Sequence, residues 1–237
     1  FMQDIHKIEI DFITPVHIGS GEEIESFSYI VKNDYFFKIR LENFLFDLND
    51  FDRSQFNQLV NKNDIIGLRE FISQKCDVNK YAIYRAFPGD RFKEKYMENF
   101  KSLRNKLFLY PFIRTGSYMP YIPGSSLKGA IRTAILNYFI KKDFRDDKNL
   151  LDLAKNKEFH RILTGKNIEG IILGNDKDAK KDPFRGLLVS DSMMKNRDYI
   201  IIGQVINYKP GNTENLDNMF RHFQMFYEVS PSSLTKN

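Results

Sequence analysis

A chain of 237 residues with 42% apolar and 28% charged side chains can bury a core, as one large domain or two small ones, and lies outside the disordered range. Its apolar stretches are broken every few positions by Lys, Asp or Asn, which excludes a transmembrane helix, and the start Phe1-Met2-Gln3-Asp4 lacks the basic-then-apolar order of a signal peptide. The single cysteine, Cys76, excludes an internal disulfide and the four scattered histidines offer no zinc spacing, so the expectation is a cytoplasmic protein needing no structural metal and no cofactor.

A net charge of +5 suits a nucleic-acid partner, because phosphate contacts release counterions. The 22 Phe and 12 Tyr, with no Trp, both fill a core and supply faces on which unpaired bases stack.

Residues 5–12 alternate apolar and polar, the pattern of a half-buried strand, and end at the loop Thr14-Pro15-Val16-His17-Ile18-Gly19-Ser20-Gly21. The runs 27–31 and 35–39 read as a hairpin across Lys32-Asn33-Asp34. From Asp52 to about Gln74 the apolar spacing turns helical, through Phe56, Leu59, Val60, Ile65 and Leu68. The charged stretch 89–106 reads as a solvated helix or insertion, and 107–121 as extended. A helix from 125 to 140 follows Pro123-Gly124, with Leu127, Ala130, Ile131, Ala134, Ile135 and Tyr138 on one face and Ser125 or Ser126 as its cap. A further helix is expected over 150–163, a polar loop over 174–183, and strands over 186–190, 199–208 and 223–229. Hairpins among alternating strands and helices favour α+β over a parallel α/β sheet.

Three constellations carry chemistry. The 125–140 helix presents unpaired N–H groups and a positive dipole end, a ready anion site. Ser125 and Ser126 add hydroxyls, and Lys128 and Arg132 stand one turn apart, where a phosphate between them would relieve their repulsion. Gly124 and Gly129 let a backbone or ligand come close. A serine-capped helix with two solvated bases fits the same residues, and the order of Gly124 to Gly129 is not that of a nucleotide P-loop. The second constellation is His17 beside Gly19-Ser20-Gly21, where the glycines serve either a ligand or a tight turn. The third is Asp182-Pro183-Phe184-Arg185 leading to Val189-Ser190-Asp191-Ser192, in which Arg185 pairs with phosphate or Asp182, and Asp191 alternatively only caps a turn. Glu22, Glu23, Glu25, Asp182 and Asp191 invite a metal-dependent nuclease reading, but a two-metal site needs carboxylates that converge in space, the three glutamates on one loop are more often solvated charge, and no His pair suggests acid–base RNA cleavage.

The segment Tyr121-Ile-Pro-Gly-Ser-Ser-Leu-Lys-Gly-Ala-Ile-Arg132 resembles the RAMP superfamily of CRISPR-associated proteins, whose domains are modified RRM folds. With Thr14–Gly21, Asp182–Arg185 and Val189–Ser192 in this order, the chain is most similar to the branch that caps the guide's 3′ end in type III-A Csm complexes. The resemblance implies an RRM-like α+β domain over 1–206, with an antiparallel sheet, helices on one face and helical insertions. Residues 207–237 would then open a second, truncated RAMP half. It also implies a non-catalytic subunit that contacts the crRNA and the repeating backbone subunit among other Csm subunits, with no membrane partner, and that recruits host nucleases for 3′-end maturation. His17, Gly19, Ser20, Gly124, Ser125, Ser126, Lys128, Gly129, Arg132 and Arg185 would line the RNA path, with the loop and the helix on one basic face. The backbone subunit carries a target-cleaving aspartate in the loop after its first glycine turn; Ser20 to Phe27 holds none. Rival readings are that backbone subunit, a stand-alone crRNA-processing endoribonuclease of the superfamily, and an adaptor whose basic face docks an acidic protein.

Overall fold

A computed structural model describes residues 4–102, 107–144, 173, 178, 180–194, 199–205 and 225–231. It divides into two compact units, Phe1–Pro120 with Met194–Asn237, and Tyr121–Met193.

The first unit begins with the expected hairpin. Strands β1 (Tyr29–Lys32) and β2 (Tyr35–Ile39) pair antiparallel from Tyr29↔Lys38 to Lys32↔Tyr35. Asn33 and Asp34 take φ of 51° and 60°, the left-handed pair of a two-residue turn whose twist matches that of the strands. Short α1 (Leu41–Phe46) precedes two helices where one was expected: α2 (Asp50–Asn61) and α3 (Ile65–Lys75). The break has a local cause. Asn63 turns left-handed at φ 52°, and the Asp64 carboxylate accepts the Gly67 N–H at 2.9 Å, capping a new helix. After α4 (Val78–Tyr81), strand β3 (Ala82–Pro88) leads into α5 (Asp90–Phe100). Helix α5 is not the solvated helix its charge suggests, because Phe92 and Tyr96, one turn apart, are buried.

Strands β4 (Leu109–Tyr110), β7 (Ile201–Val205) and β8 (Met225–Val229) complete a six-stranded sheet in the order β1-β2-β3-β7-β8-β4. The β3–β7 and β4–β8 pairs are parallel and the other three antiparallel, an α+β sheet of RRM-like kind. One face carries the main core, where Phe36, Tyr84, Ala86, Ile202 and Phe226 meet Phe92 and Tyr96 of α5. A second cluster lies under the α1–α4 helices, around Ile30, Phe44, Phe71, Ile72 and Tyr81.

Inside the main core the Arg114 guanidinium meets the fully buried Glu228 carboxylate at 3.0 Å, and the same carboxylate oxygen accepts the Phe112 N–H. Arg114 also lies 3.7 Å from the Tyr84 ring centre. Burial first, and then the Glu228 charge, push the Tyr84 phenol well above its ordinary pKa.

The second unit holds β5 (Tyr121–Ile122), α6 (Gly124–Phe144), a 3₁₀ turn (Pro183–Gly186) and β6 (Ser192–Met193), with β5 and β6 antiparallel. Two expected strands are absent. Residues 5–12 form no ladder, and all but the half-buried Ile10 and Phe12 are exposed, because alternation specifies a face and not a partner strand. Residues 187–190 leave the 3₁₀ turn as irregular chain. The expected helix over 150–163, most of the 174–183 loop, and residues 207–224 and 232–237 of the expected second half lie outside the described residues.

Candidate nucleic-acid interface

In the second unit, α6 starts at Gly124, one residue ahead of the expected caps. The N–H groups of Ser126 and Leu127 go to the Pro123 carbonyl at 3.0 and 3.1 Å, so both serines stand in the first turn with exposed side chains. The anion at this helix end is supplied by the chain itself: Asp191 accepts the Gly124 N–H at 2.7 Å. A Cβ on Gly124 would lie 2.0 Å from the Val189 carbonyl oxygen, so only glycine lets the 189–191 segment reach the helix. Gly129 has nothing within 4 Å of the same probe position.

The Arg132 guanidinium donates to Asp182 at 2.7 Å and lies 5.1 Å from the Phe184 ring centre. Asp182 accepts the Phe184 N–H through its other oxygen at 2.9 Å. These two donors, the backbone N–H first, with added help from the Lys128 charge, hold the Asp182 carboxyl below its ordinary pKa. Arg132, rather than Arg185, is therefore the partner of Asp182, and its charge is balanced within the protein. Arg185 is exposed on the anchored turn, and Lys128 is half-buried on α6, close enough for Asp182 to feel its charge. Ser125, Ser126, Lys128 and Gly129 thus share the first turns of α6, Arg132 ties the next turn of the helix to Asp182, and Arg185 is exposed on the turn that Asp182 caps.

His17, Gly19 and Ser20 belong to the first unit, where residues 16–24 run along the β4 side of the sheet. Ile24 and Leu109 exchange backbone hydrogen bonds of 2.8 and 3.1 Å, and the Ile113 N–H reaches the Ile18 carbonyl at 2.8 Å. At the start of the segment, the Val16 N–H goes to Ser230 Oγ and the Ser230 N–H to the Val16 carbonyl. His17 Nδ1 donates to the Glu228 carbonyl at 2.8 Å, which leaves Nε2 as the other ring position for a hydrogen bond. Its ring packs edge-on against Tyr227 at 4.7 Å, and a Cβ on Gly19 would lie 2.9 Å from His17 Nε2. Gly19 thus has a steric reason to be small, and Gly21, at φ +83°, a conformational one. Among the acidic residues of this loop, Glu23 accepts the Tyr110 hydroxyl at 2.9 Å, and no three His, Cys, Asp or Glu side chains of the described residues are placed to share a metal ion. No described helix is long and apolar enough to cross a membrane.

Sequence reasoning missed the capping role of Asp191 toward α6 and the Arg132–Asp182 tie. It also missed the Tyr110–Tyr227 stack, 4.9 Å apart at 23°, whose only local signal is an aromatic in each of two strand-like runs.

The RAMP superfamily model matches residues 9–235. A Methanocaldococcus jannaschii protein named CRISPR system Cms protein Csm5 is 31% identical over 197 residues, which cover 79% of this chain and 42% of that protein. A Streptococcus thermophilus protein of the same name is 27% identical over 219 residues, covering 85% of this chain and 55% of that protein. The chain thus spans about half the length of these curated relatives. Among solved structures, T. onnurineus Csm5 superposes with a TM-score of 0.58 at 20% identity, over 94% of this chain and 64% of that one. A chain of a Csm–crRNA–target RNA ternary complex of a type III-A CRISPR-Cas system superposes with a TM-score of 0.56 at 19% identity, over 94% of this chain and 60% of that one. At these identities the superpositions speak for the fold.

Proposed function

The chain belongs to the RAMP superfamily, and from that premise we propose that it is a crRNA-binding, non-catalytic subunit at the 3′ end of the guide in a type III-A CRISPR effector complex. The observation that carries this reading is the start of α6, where Ser125, Ser126 and Lys128 follow a Gly124 N–H already met by Asp191, together with exposed Arg185 on the turn that Arg132 ties to the helix through Asp182. Exposed hydroxyls and two cations suit the phosphates of a single strand, which they hold without reading sequence. The likeness to Csm5 proteins, and to a chain of a complex that contains crRNA and target RNA, supports the partners: the guide and the other Csm subunits. The repeating backbone subunit is the nearest of these, and host nucleases recruited for 3′-end trimming are the expected further contacts.

The non-catalytic assignment draws on the loop from Ser20 to Phe27. It has glutamates and no aspartate, and one of the glutamates is engaged by Tyr110. The test is reconstitution with a guide RNA and the remaining Csm subunits, followed by crosslink mapping. Crosslinks from residues 121–193 to the 3′ portion of the guide support the proposal. Crosslinks confined to the 5′ portion, or target cleavage lost on changing Glu22, Glu23 and Glu25 to Gln, contradict it.

A further inference from the structure

The six-stranded sheet has two faces, and its main core uses one of them. On β3, Tyr84, Ala86 and Pro88 are buried on the core side, so Arg85 and Phe87 stand on the other. The pairing carries that second face across the sheet: Phe37 on β2 is opposite Arg85, which puts Tyr35 on the face of Phe87, and Tyr227 on β8 is opposite Tyr110 on β4. Helices α1–α4 cover only the end nearest β1, at Ile30 and Phe37. None of Tyr35, Phe87, Tyr110 and Tyr227 belongs to either buried cluster, and Phe87 is 43% exposed.

The rings are ordered. Tyr110 stacks on Tyr227 with centres 4.9 Å apart, and His17 leans edge-on against Tyr227 at 4.7 Å. At the other end Tyr35 lies 5.1 Å from Phe87, and the Arg85 guanidinium sits 4.8 Å from the Tyr35 ring centre. Between the two groups β7 offers Gly203, opposite Tyr227, with Ile201, opposite Phe87, and the partly exposed Val205 on either side of it.

We propose that this face is a stacking platform for unpaired RNA bases, a second contact distinct from the phosphate-holding residues of the other unit. Single-stranded RNA is bound where its bases can stack on aromatic rings or guanidinium planes, and four-stranded sheets do so with rings on adjacent strands for two or three bases. From β3 to β4 the strands span about 14 Å at ~4.8 Å each, enough for that number. Exposed Arg85 and Lys32 lie on the same face and complement phosphate charge, which favours RNA over an apolar protein surface. The proposal rests on the RNA-binding reading above, and the experiment separates the two.

Full-length protein is titrated with a fluorescently labelled single-stranded RNA and with the same strand carrying abasic positions, for the wild type and the Tyr35→Leu, Phe87→Leu pair. The platform predicts that the pair loses about tenfold in affinity for the intact strand. It predicts no loss on the abasic one, and a ratio that does not change with salt, because stacking releases no counterions. Equal affinity of wild type and variant for the intact strand overturns the platform alone, while a wild type that binds neither strand overturns the RNA-binding reading itself. Loss of a partner subunit with RNA affinity kept would make the face a protein surface and overturn the platform too. Photocrosslinking of a 5-iodouridine RNA to the unaltered protein covers the case of a misfolded variant. Crosslinks to Tyr35, Phe87, Tyr110 or Tyr227 are expected, and crosslinks solely elsewhere contradict the proposal.

Discussion

Gly124 and Gly129 share one helix and answer a methyl group in opposite ways. Gly124→Ala places Cβ against the Val189 carbonyl and displaces the segment that brings Asp191 to the helix start, with an expected loss of about 1–3 kcal/mol. Gly129→Ala meets open space in a helix interior and gains about 0.5–1 kcal/mol. Thermal denaturation of the two variants checks the opposite signs. Asp182 makes a different prediction. Its folded pKa is lowered, so its contribution to stability is complete above the unfolded value, near 4, and is lost as pH falls through the lower folded value. An acid titration of stability should therefore be flatter in Asp182→Asn than in the wild type across that window. Neither residue's role was legible in sequence. Gly124 could be seen to precede a helix, but its contact lies 65 positions away at Val189, and the Arg132–Asp182 pair joins residues 50 apart.

Elements whose contacts are local were the legible ones. The β1–β2 hairpin follows from its alternation and from two turn residues that tolerate a left-handed backbone. Helix α5 was legible too, had its Phe92 and Tyr96 spacing been weighed above its charge. The strand expected at residues 5–12 failed for the opposite reason, since amphipathicity alone provides no ladder. Long-range register is the hidden part. Glu228 of β8 reaches Arg114 and the Phe112 N–H from more than a hundred positions away, and no pattern announces it. Removing one partner of a buried ion pair leaves the other uncompensated, so Arg114→Met should cost about 3–5 kcal/mol in chemical denaturation. Adding Glu228→Leu should restore part of that loss, although the Phe112 N–H then lacks its acceptor.

At the scale of the whole molecule, the α+β class was legible because hairpins and helices alternate along the chain. The parallel β3–β7 and β4–β8 pairs were not, since they join segments far apart in sequence. The proposed function gives phosphates to the start of α6 in the 121–193 unit, and the proposed platform gives bases to the sheet of the other. Fluorescence anisotropy with single-stranded RNA at several salt concentrations tests the phosphate contact at the start of α6. The comparison is between wild type and the Lys128→Glu, Arg185→Glu variant, both first confirmed as folded; these two cations are chosen because Arg132 is committed to Asp182. Each lost phosphate contact should remove about 0.7 from the slope of log affinity against log salt, so the double variant should bind more weakly, with a slope shallower by roughly 1.4. Equal affinity and equal slope for the two proteins would rule out phosphate binding by Lys128 and Arg185.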